Sequence, residues 1–254
     1  MFDGLNWLIS AAADAGASGL IYQLWHIPNV ISLMVFCFIH RKKYGIKKLP
    51  SLIIVAIIYA LGYLWLLFIG WMESGFTSIG DNNIVKGFIY FPIFALIPAN
   101  LFKIDKRKIW DFIAPCFPLL QCVAHLACNF AGCCRGYIVG YGIWNPVMKE
   151  YTFPIQLLES LVSLLVFIAC LLYADKGKRS EGKVYPFFLI TFGATRFFLE
   201  FFRDNHKIIF GISDLALHAL LMAAVGGVWM IWVEHNNMLA NSKAVYHKKS
   251  NRRK

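Results

Sequence analysis

Several ionisable side chains of this chain lie within sequence that is otherwise strongly apolar. The densest group is the segment 192–204, in which Arg196 and Glu200 are four residues apart and so share one face of a helix. Arg203 follows three residues after Glu200. An intrahelical ion pair could simply neutralise the two charges, but an arginine also presents a planar set of donors that fits a phosphate or a carboxylate. Because an ionisable group is costly in an apolar medium, we favour a role in binding or catalysis.

A second group opens the apolar run that begins at 153. Gln156 and Glu159 are three residues apart and therefore point the same way on a helix. Glu159 lies within apolar sequence and needs a partner, which Arg196 or Arg203 could supply. A structural salt bridge between two helices would explain the same pattern, so this group alone leaves both interpretations open.

A third group occupies the segment 125–136. Its members are His125, Cys128, Gly132, Cys133, Cys134 and Gly136. The glycines allow backbone turns and close approach to a ligand. The histidine and the cysteines could be zinc ligands, but a paired C-x-x-C motif is missing, so we predict no metal. A histidine that titrates near neutral pH fits proton transfer better.

The composition indicates the medium that surrounds these three groups of polar residues. Hydrophobic residues make up 59% of the 254 residues and charged residues only 15%, whereas soluble domains carry about 25% charged residues. The net charge of +11 is spread over short basic clusters between apolar runs, which does not favour nucleic-acid binding. The sequence therefore predicts a protein whose solvent is a lipid bilayer.

Hydropathy predicts an all-α, polytopic membrane protein of about seven transmembrane helices. The predicted spans are 19–39, 51–72, 87–102, 109–134, 155–173, 184–202 and 213–233. Alternate connecting segments hold 19 and 5 basic residues, which predicts the N-terminus outside and the C-terminus in the cytoplasm. We expect one transmembrane domain over 1–236 and a basic cytoplasmic tail over 237–254. The three polar groups then fall at the outer ends of spans four, five and six, which predicts one shared, outward-facing site.

Four segments resemble the prolipoprotein diacylglyceryl transferase family of the bacterial cytoplasmic membrane. Asp111–Pro115 resembles the DxxAP motif of the family, and 125–136 resembles its signature segment with a glycine-rich turn. Phe153-Pro-Ile-Gln156-Leu-Leu-Glu159 resembles HPxQLYE, and 193–203 resembles the later part of YGxxRFxxEFxR. The likeness covers roughly residues 85–205, and the earlier spans match in hydropathy and topology.

The resemblance implies transfer of the diacylglyceryl group of phosphatidylglycerol to the lipobox cysteine thiol of a prolipoprotein. The reaction would take place at the outer face of the plasma membrane and would yield a thioether-linked lipid and glycerol phosphate. It implies no metal and no soluble cofactor. The expected catalytic residues are His125, Arg196 and Glu200. The expected substrate-binding residues are Cys128, Gly132, Gly136, Gln156, Glu159 and Arg203.

The sequence also departs from the pattern of the family. His125 stands where an arginine is usual, and Cys128 stands where many members have asparagine. Phe153 replaces the histidine of HPxQLYE, and Phe192 replaces the tyrosine before Gly193. An alternative is therefore a divergent member that binds or modifies a phospholipid with a different acceptor, or one that is catalytically inactive.

Overall fold

Helices dominate the computed structural model, which describes residues 2–77, 84–177, 181–204, 207–209 and 211–251. The helices are α1 (Asp3–Asp14), α2 (Ser18–Leu24), α3 (His26–His40), α4 (Lys48–Glu73), α5 (Ile84–Gly87), α6 (Phe91–Phe94), α7 (Leu96–Leu101), α8 (Lys106–Ile113), α9 (Cys116–Ala131), α10 (Ile155–Ala174), α11 (Val184–Leu199) and α12 (Asp214–Asn251). The strands are β1 (Ile138–Asn145), β2 (Glu150–Thr152), β3 (Lys207–Ile209) and β4 (Ile212–Ser213).

Six helical stretches of the described residues are long and apolar enough to cross a membrane. They are Ser18–Tyr44, Lys48–Glu73, Lys106–Ala131, Ile155–Ala174, Val184–Phe202 and Asp214–Leu239. The prediction of an all-α polytopic membrane protein is confirmed. The expected number of about seven continuous spans is not, because only six of the predicted spans form long helices.

The third predicted span, 87–102, is broken into α6 and α7, and its apolar helical part covers only Phe91–Leu101. Pro92 and Pro98 account for the break, since proline lacks the N–H that a continuing helix needs. The carbonyl of Pro92 accepts a hydrogen bond from Trp110 Nε1 at 3.0 Å, which ties the broken segment to α8.

This broken segment nevertheless runs the full length of the bundle. At its start, Lys86 Nζ lies 2.6 Å from Asp214 Oδ2, at the first residue of α12. Beyond its end, Arg107 Nη1 donates to Asn237 Oδ1 at 3.1 Å, near the other end of the apolar part of α12. These two points lie about 35 Å apart along a helix that rises 1.5 Å per residue. Within the described residues, the broken segment therefore covers about the same length of the bundle as the apolar part of α12.

The segment 135–152, which lies between the fourth and fifth predicted spans, contains the antiparallel pair β1–β2. Asn145 closes its turn, because Oδ1 accepts hydrogen bonds from the backbone N–H groups of Val147 and Met148, both at 3.0 Å. Helix α1, like this hairpin, was not predicted. It packs on this hairpin through Asn6, whose side chain donates to Gly142 O at 3.0 Å and accepts from Trp144 N at 2.9 Å.

The core between the helices is largely aromatic. The ring of Phe88 lies 5.3 Å, centroid to centroid, from each of Phe117, Phe188 and Phe192. Phe192, which replaces a tyrosine in the resemblance, is thus part of this buried cluster. At the basic end of the bundle, Asp111 accepts hydrogen bonds from the backbone N–H groups of Gly182 and Val184 at 2.6 and 2.9 Å, which caps the start of α11.

The predicted tail 237–254 continues α12 as far as Asn251, and its last three residues lie outside the described residues. The division of the chain at 236 and the orientation in the membrane stay predictions.

Candidate functional site

The three polar groups of the sequence meet around Glu159, in the first turns of α10. Glu159 Oε2 lies 3.1 Å from His125 Nδ1 of α9. Glu159 Oε1 contacts Arg196 of α11 and lies 3.4 Å from Arg203 Nη1. One carboxylate therefore joins the segments 125–136, 153–159 and 192–204, as the outer-end placement of the three groups predicted.

A second carboxylate, Glu200, completes the ion network. Its Oε2 lies 3.0 Å from Arg196 Nη2 and 3.9 Å from Arg203 Nη1, and its Oε1 accepts from Ser213 Oγ at 3.1 Å. The four charged side chains are between 2% and 5% exposed. Two arginines balance two carboxylates, so the cluster is formally neutral, as a buried ion network must be if it is to avoid a large desolvation cost.

Both glycines of the third group let chain segments approach closely. Gly132 ends α9 at φ +68°, a left-handed conformation that favours glycine, and its carbonyl accepts from Asn145 Nδ2 at 2.9 Å. Gly136 pairs with Arg203 through a β-bridge. A Cβ atom at Gly136 would lie 2.6 Å from the carbonyl oxygen of Phe153. Gln156 ties the same turn to α10, because its Nε2 donates to Cys133 O at 3.0 Å.

The thiols of Cys128, Cys133 and Cys134 lie next to one another beside His125. The neighbouring thiols of Cys128 and Cys133, aided by Arg203, hold the pKa of Cys134 well below its ordinary value. A ring nitrogen of His125 and the sulfurs of Cys128 and Cys134 all lie within 4.8 Å of one another.

The site lies at one end of a cavity of about 440 Å³. We call this cavity the chamber. Its walls come from α2, α3, α4 and α9 and include the apolar side chains of Val55, Ile58, Leu66, Phe117 and Leu120. The volume falls within the range of about 300–1,000 Å³ that is usual for small-molecule sites. Largely apolar walls with a charged end suit an amphipathic ligand.

Three guanidinium nitrogens at the charged end have no hydrogen-bond partner in the described part of the chain. They are Nε of Arg196 and both Nε and Nη1 of Arg203, and both arginines line the chamber. A buried donor left unpaired costs about 1–3 kcal/mol, and more when it is charged. An acceptor from a ligand would remove this cost.

The predicted site residues thus divide into three sets. Four of them line the chamber: His125, Cys128, Arg196 and Arg203. Glu159 and Glu200 contact the arginines and are not among the residues that line the chamber. The third set, Gln156, Gly132 and Gly136, shapes the turn that follows α9. The individual roles assigned to these residues stay predictions.

Some chamber residues were not predicted from the sequence. They are Tyr22, His26, Asn29 and Gln121. Asn29 is the clearest of these, because its Oδ1 is buried without a hydrogen-bond partner among the described residues. A polar residue in the middle of the first predicted span was the available signal.

Comparison with known proteins identifies the family of the chain. A family model described as prolipoprotein diacylglyceryl transferase matches residues 51–233, which include every predicted site residue. The chain belongs to the prolipoprotein diacylglyceryl transferase family.

Relatives named phosphatidylglycerol–prolipoprotein diacylglyceryl transferase share a modest sequence identity with this chain. The enzyme numbered 2 of Clostridium perfringens is 24% identical over 161 residues, which cover 60% of this chain and 62% of the relative. That of Acinetobacter baumannii strain SDF is 27% identical over 164 residues, covering 56% of this chain and 58% of the relative. The matched part therefore spans less than two thirds of each relative. With six helices apolar and long enough to cross a membrane among its described residues, this family member is a multi-pass protein of the bacterial plasma membrane.

Two departures from the transferase family pattern have a visible structural setting. Phe153, in place of a histidine, stacks on Phe202 with ring centroids 5.5 Å apart, beside the Gly136–Arg203 bridge. His125, in place of an arginine, faces Glu159. Beside Glu159, this chain therefore has an imidazole where the resemblance to the family implies an arginine.

Proposed function

We propose that this chain transfers the diacylglyceryl group of phosphatidylglycerol to the lipobox cysteine thiol of a prolipoprotein, at the outer face of the bacterial plasma membrane. The observation that carries the proposal is the position of Arg196 and Arg203, buried at the charged end of an apolar chamber. A phospholipid has the same division between a charged headgroup and apolar chains. Membership of the family supports the reaction type.

In the proposed reaction the acceptor thiol is deprotonated and the thiolate attacks the glyceryl carbon that carries the phosphate. A sulfur–carbon bond forms, the carbon–oxygen bond to the phosphate breaks, and glycerol phosphate leaves with the bonding electrons. Arg196 and Arg203 stabilise the charge on the leaving phosphate, since positioned donors act most strongly where charge develops. Glu159 and Glu200 hold the two guanidinium groups in place.

His125 is the proposed acceptor of the proton of the thiol. The thiolate is the reactive form of a cysteine, so a base near the acceptor accelerates the attack. The carboxylate of Glu159, 3.1 Å from His125 Nδ1, orients the ring and stabilises the imidazolium that forms. Metal or soluble cofactors have no part in this scheme.

Complementation tests the activity directly. A bacterial strain depleted of its own transferase receives this chain, and the mass of a reporter prolipoprotein is followed. We expect the mass gain of one diacylglyceryl group with the unaltered chain and its loss with Arg196→Ala. Arg135→Ala is the matched control, because Arg135 forms a more exposed ion pair with Asp204 at 3.2 Å, away from the chamber. No mass gain despite verified expression in the membrane would refute the proposal.

The alternative is a family member that binds phospholipid but uses another acceptor. The replacement of a histidine by Phe153 favours it, because that position carries no titratable group in this chain. Copurified lipid that is lost in Arg196→Ala, together with an unmodified reporter, would support this alternative.

A further inference from the structure

The side chains beside His125 include thiols that could bind a metal ion and that the proposed transfer does not use. One ring nitrogen of His125 and the sulfurs of Cys128 and Cys134 lie within 4.8 Å of one another. Bond lengths of about 2.3 Å to sulfur and 2.0–2.1 Å to nitrogen place the ligands of a tetrahedral zinc ion about 3.6–3.8 Å apart. Side-chain rotations that bring the ligand atoms roughly 1 Å closer would complete three corners of a tetrahedron.

We propose that His125, Cys128 and Cys134 form a binding site for zinc, a borderline-soft divalent cation, at the charged end of the chamber. Thiolate and imidazole ligands select such a cation over the hard ions magnesium and calcium.

The surroundings of His125 support this assignment independently of the ligand distances. Glu159 Oε2 lies 3.1 Å from His125 Nδ1, although the two atoms are not aligned for a hydrogen bond in the structure. Histidines that bind zinc usually donate their other ring N–H to a carboxylate, which fixes the tautomer. A small rotation of the ring would let Nδ1–H donate to Glu159 and leave the lone pair of Nε2 for a metal.

The charge balance also suits a dication. Two arginines and two carboxylates already neutralise one another at this site. Zinc with two thiolates adds no net charge, so the buried site need not bear an uncompensated ion.

The proposed site has a fourth position open to the chamber. All three ligand residues line that cavity, and three protein ligands with one exchangeable position are typical of reactive rather than structural zinc sites.

Bound zinc would block proton transfer by His125, because the metal takes the nitrogen that the base needs. We therefore expect zinc to inhibit the transferase. This consequence rests on the proposed function, whereas metal binding itself does not.

Cobalt(II) titration of the purified, reduced, full-length protein in detergent tests binding. We expect one equivalent of cobalt with a near-ultraviolet thiolate-to-cobalt band, displaced by zinc. Cys128→Ser and Cys134→Ser should each weaken binding by at least about 100-fold, while Cys170→Ser, a buried cysteine of α10, should not. Zinc should raise the thermal unfolding temperature of the unaltered protein and of Cys170→Ser only, which separates lost binding from lost folding.

Two results would overturn the site. One is cobalt binding without a thiolate band, or with equal strength in all three variants. The other is a disulfide between Cys128 and a neighbouring cysteine in protein purified without reductant and analysed by mass spectrometry.

Transfer assays with and without zinc test the consequence. The ratio of the two rates should fall in the unaltered chain and stay near one in Cys134→Ser. Cobalt binding without any transfer activity would refute the proposed function and leave the metal site standing. Binding together with zinc-insensitive transfer would instead refute inhibition.

Discussion

Glu159 is the residue on which the site depends most, because its two oxygens contact three side chains from three segments. His125, Arg196 and Arg203 all approach it, and its side chain is 2% exposed. Because these side chains are buried, each charge must be neutralised by its partners and not by water. Loss of one partner leaves an uncompensated buried charge, which usually costs about 3–5 kcal/mol.

Glu159→Gln should therefore destabilise the fold and also slow the transfer reaction. The substitution keeps the size of the side chain but leaves Arg196 and Arg203 with Glu200 as the one nearby carboxylate among the described residues. We expect a loss of about 3–5 kcal/mol in the free energy of unfolding, seen as a lower thermal midpoint in detergent. Asp204→Asn is the control, because the Arg135–Asp204 pair is more exposed, and exposed pairs contribute about 1 kcal/mol or less. Equal midpoints for the two variants would contradict this view of Glu159.

Arg203→Lys tests whether transfer needs only a positive charge at this position or also the planar arrangement of the guanidinium donors. Lysine keeps the positive charge but loses the planar fork of donors and the Nε atom that lacks a partner in the described structure. If Arg203 stabilises the leaving phosphate, transfer should slow by about 100-fold or more. The measurement is the initial rate of reporter lipidation at matched protein levels. A rate within twofold of the unaltered chain would remove Arg203 from the mechanism.

Residue patterns predicted part of this site. The spacing of Arg196 and Glu200 predicted that they share one face of a helix, and the structure pairs them at 3.0 Å, the ion pair that the sequence left as an alternative. Glu159 was expected to pair with Arg196 or Arg203, and it contacts both. That His125 also faces Glu159 could not be predicted, because the rotation of α9 against α10 depends on packing along the whole helices.

At the scale of elements, α11 and α12 hold the arginines in place through close backbone contact. Gly193 of α11 lies against α12, and a Cβ atom there would be 2.6 Å from Ala219 O. Gly226 of α12 faces α11 in the same way, with Leu189 Cβ at 2.8 Å from the position of a Cβ atom. Small residues at such contacts let membrane helices approach closely. Arg196 follows Gly193 by one turn, so this contact also fixes its position.

Gly193→Ala should thus push α11 away from α12. The added methyl meets backbone atoms that cannot move aside cheaply, so we expect a cost of about 1–3 kcal/mol and a fall in transfer activity. Gly227→Ala is a matched control in α12, because a Cβ atom there would meet nothing within 4 Å. That control should be neutral or slightly stabilising, since alanine favours a helix by about 1 kcal/mol over glycine. Thermal midpoints of the two variants decide the matter, and a more stable Gly193→Ala protein would contradict the close contact.

Elements with a long apolar run were predictable, while those built on local turns or prolines were not. The second predicted span, 51–72, lies within α4, Lys48–Glu73. Hydropathy cannot register that Pro92 and Pro98 interrupt 87–102, because an average over a window ignores backbone hydrogen bonds. The β1–β2 hairpin escaped prediction because its residues show no clear alternation of apolar and polar side chains.

For the whole molecule, the two ends of the bundle differ in charge and in chemistry. The ion network, the hairpin and the start of α12 lie at one end. The basic segments lie at the other end, where Lys183 pairs with Glu234 at 3.0 Å and Arg107 contacts Asn237. Cytoplasmic connections of membrane proteins carry the excess of lysine and arginine, so the site should face outward, where secreted prolipoproteins arrive.

Accessible cysteines at the two ends test this orientation. Tyr141 at the site end is 86% exposed, and Lys176 at the basic end is also exposed. In spheroplasts treated with a membrane-impermeant maleimide, Tyr141→Cys should gain one label over the parent chain, counted by protein mass. Lys176→Cys should gain its label only after the membrane is permeabilised. The parent chain controls for its seven native cysteines. Labelling of Lys176→Cys in sealed spheroplasts, with Tyr141→Cys protected, would reverse the orientation and place the site on the side where prolipoproteins are made rather than exported.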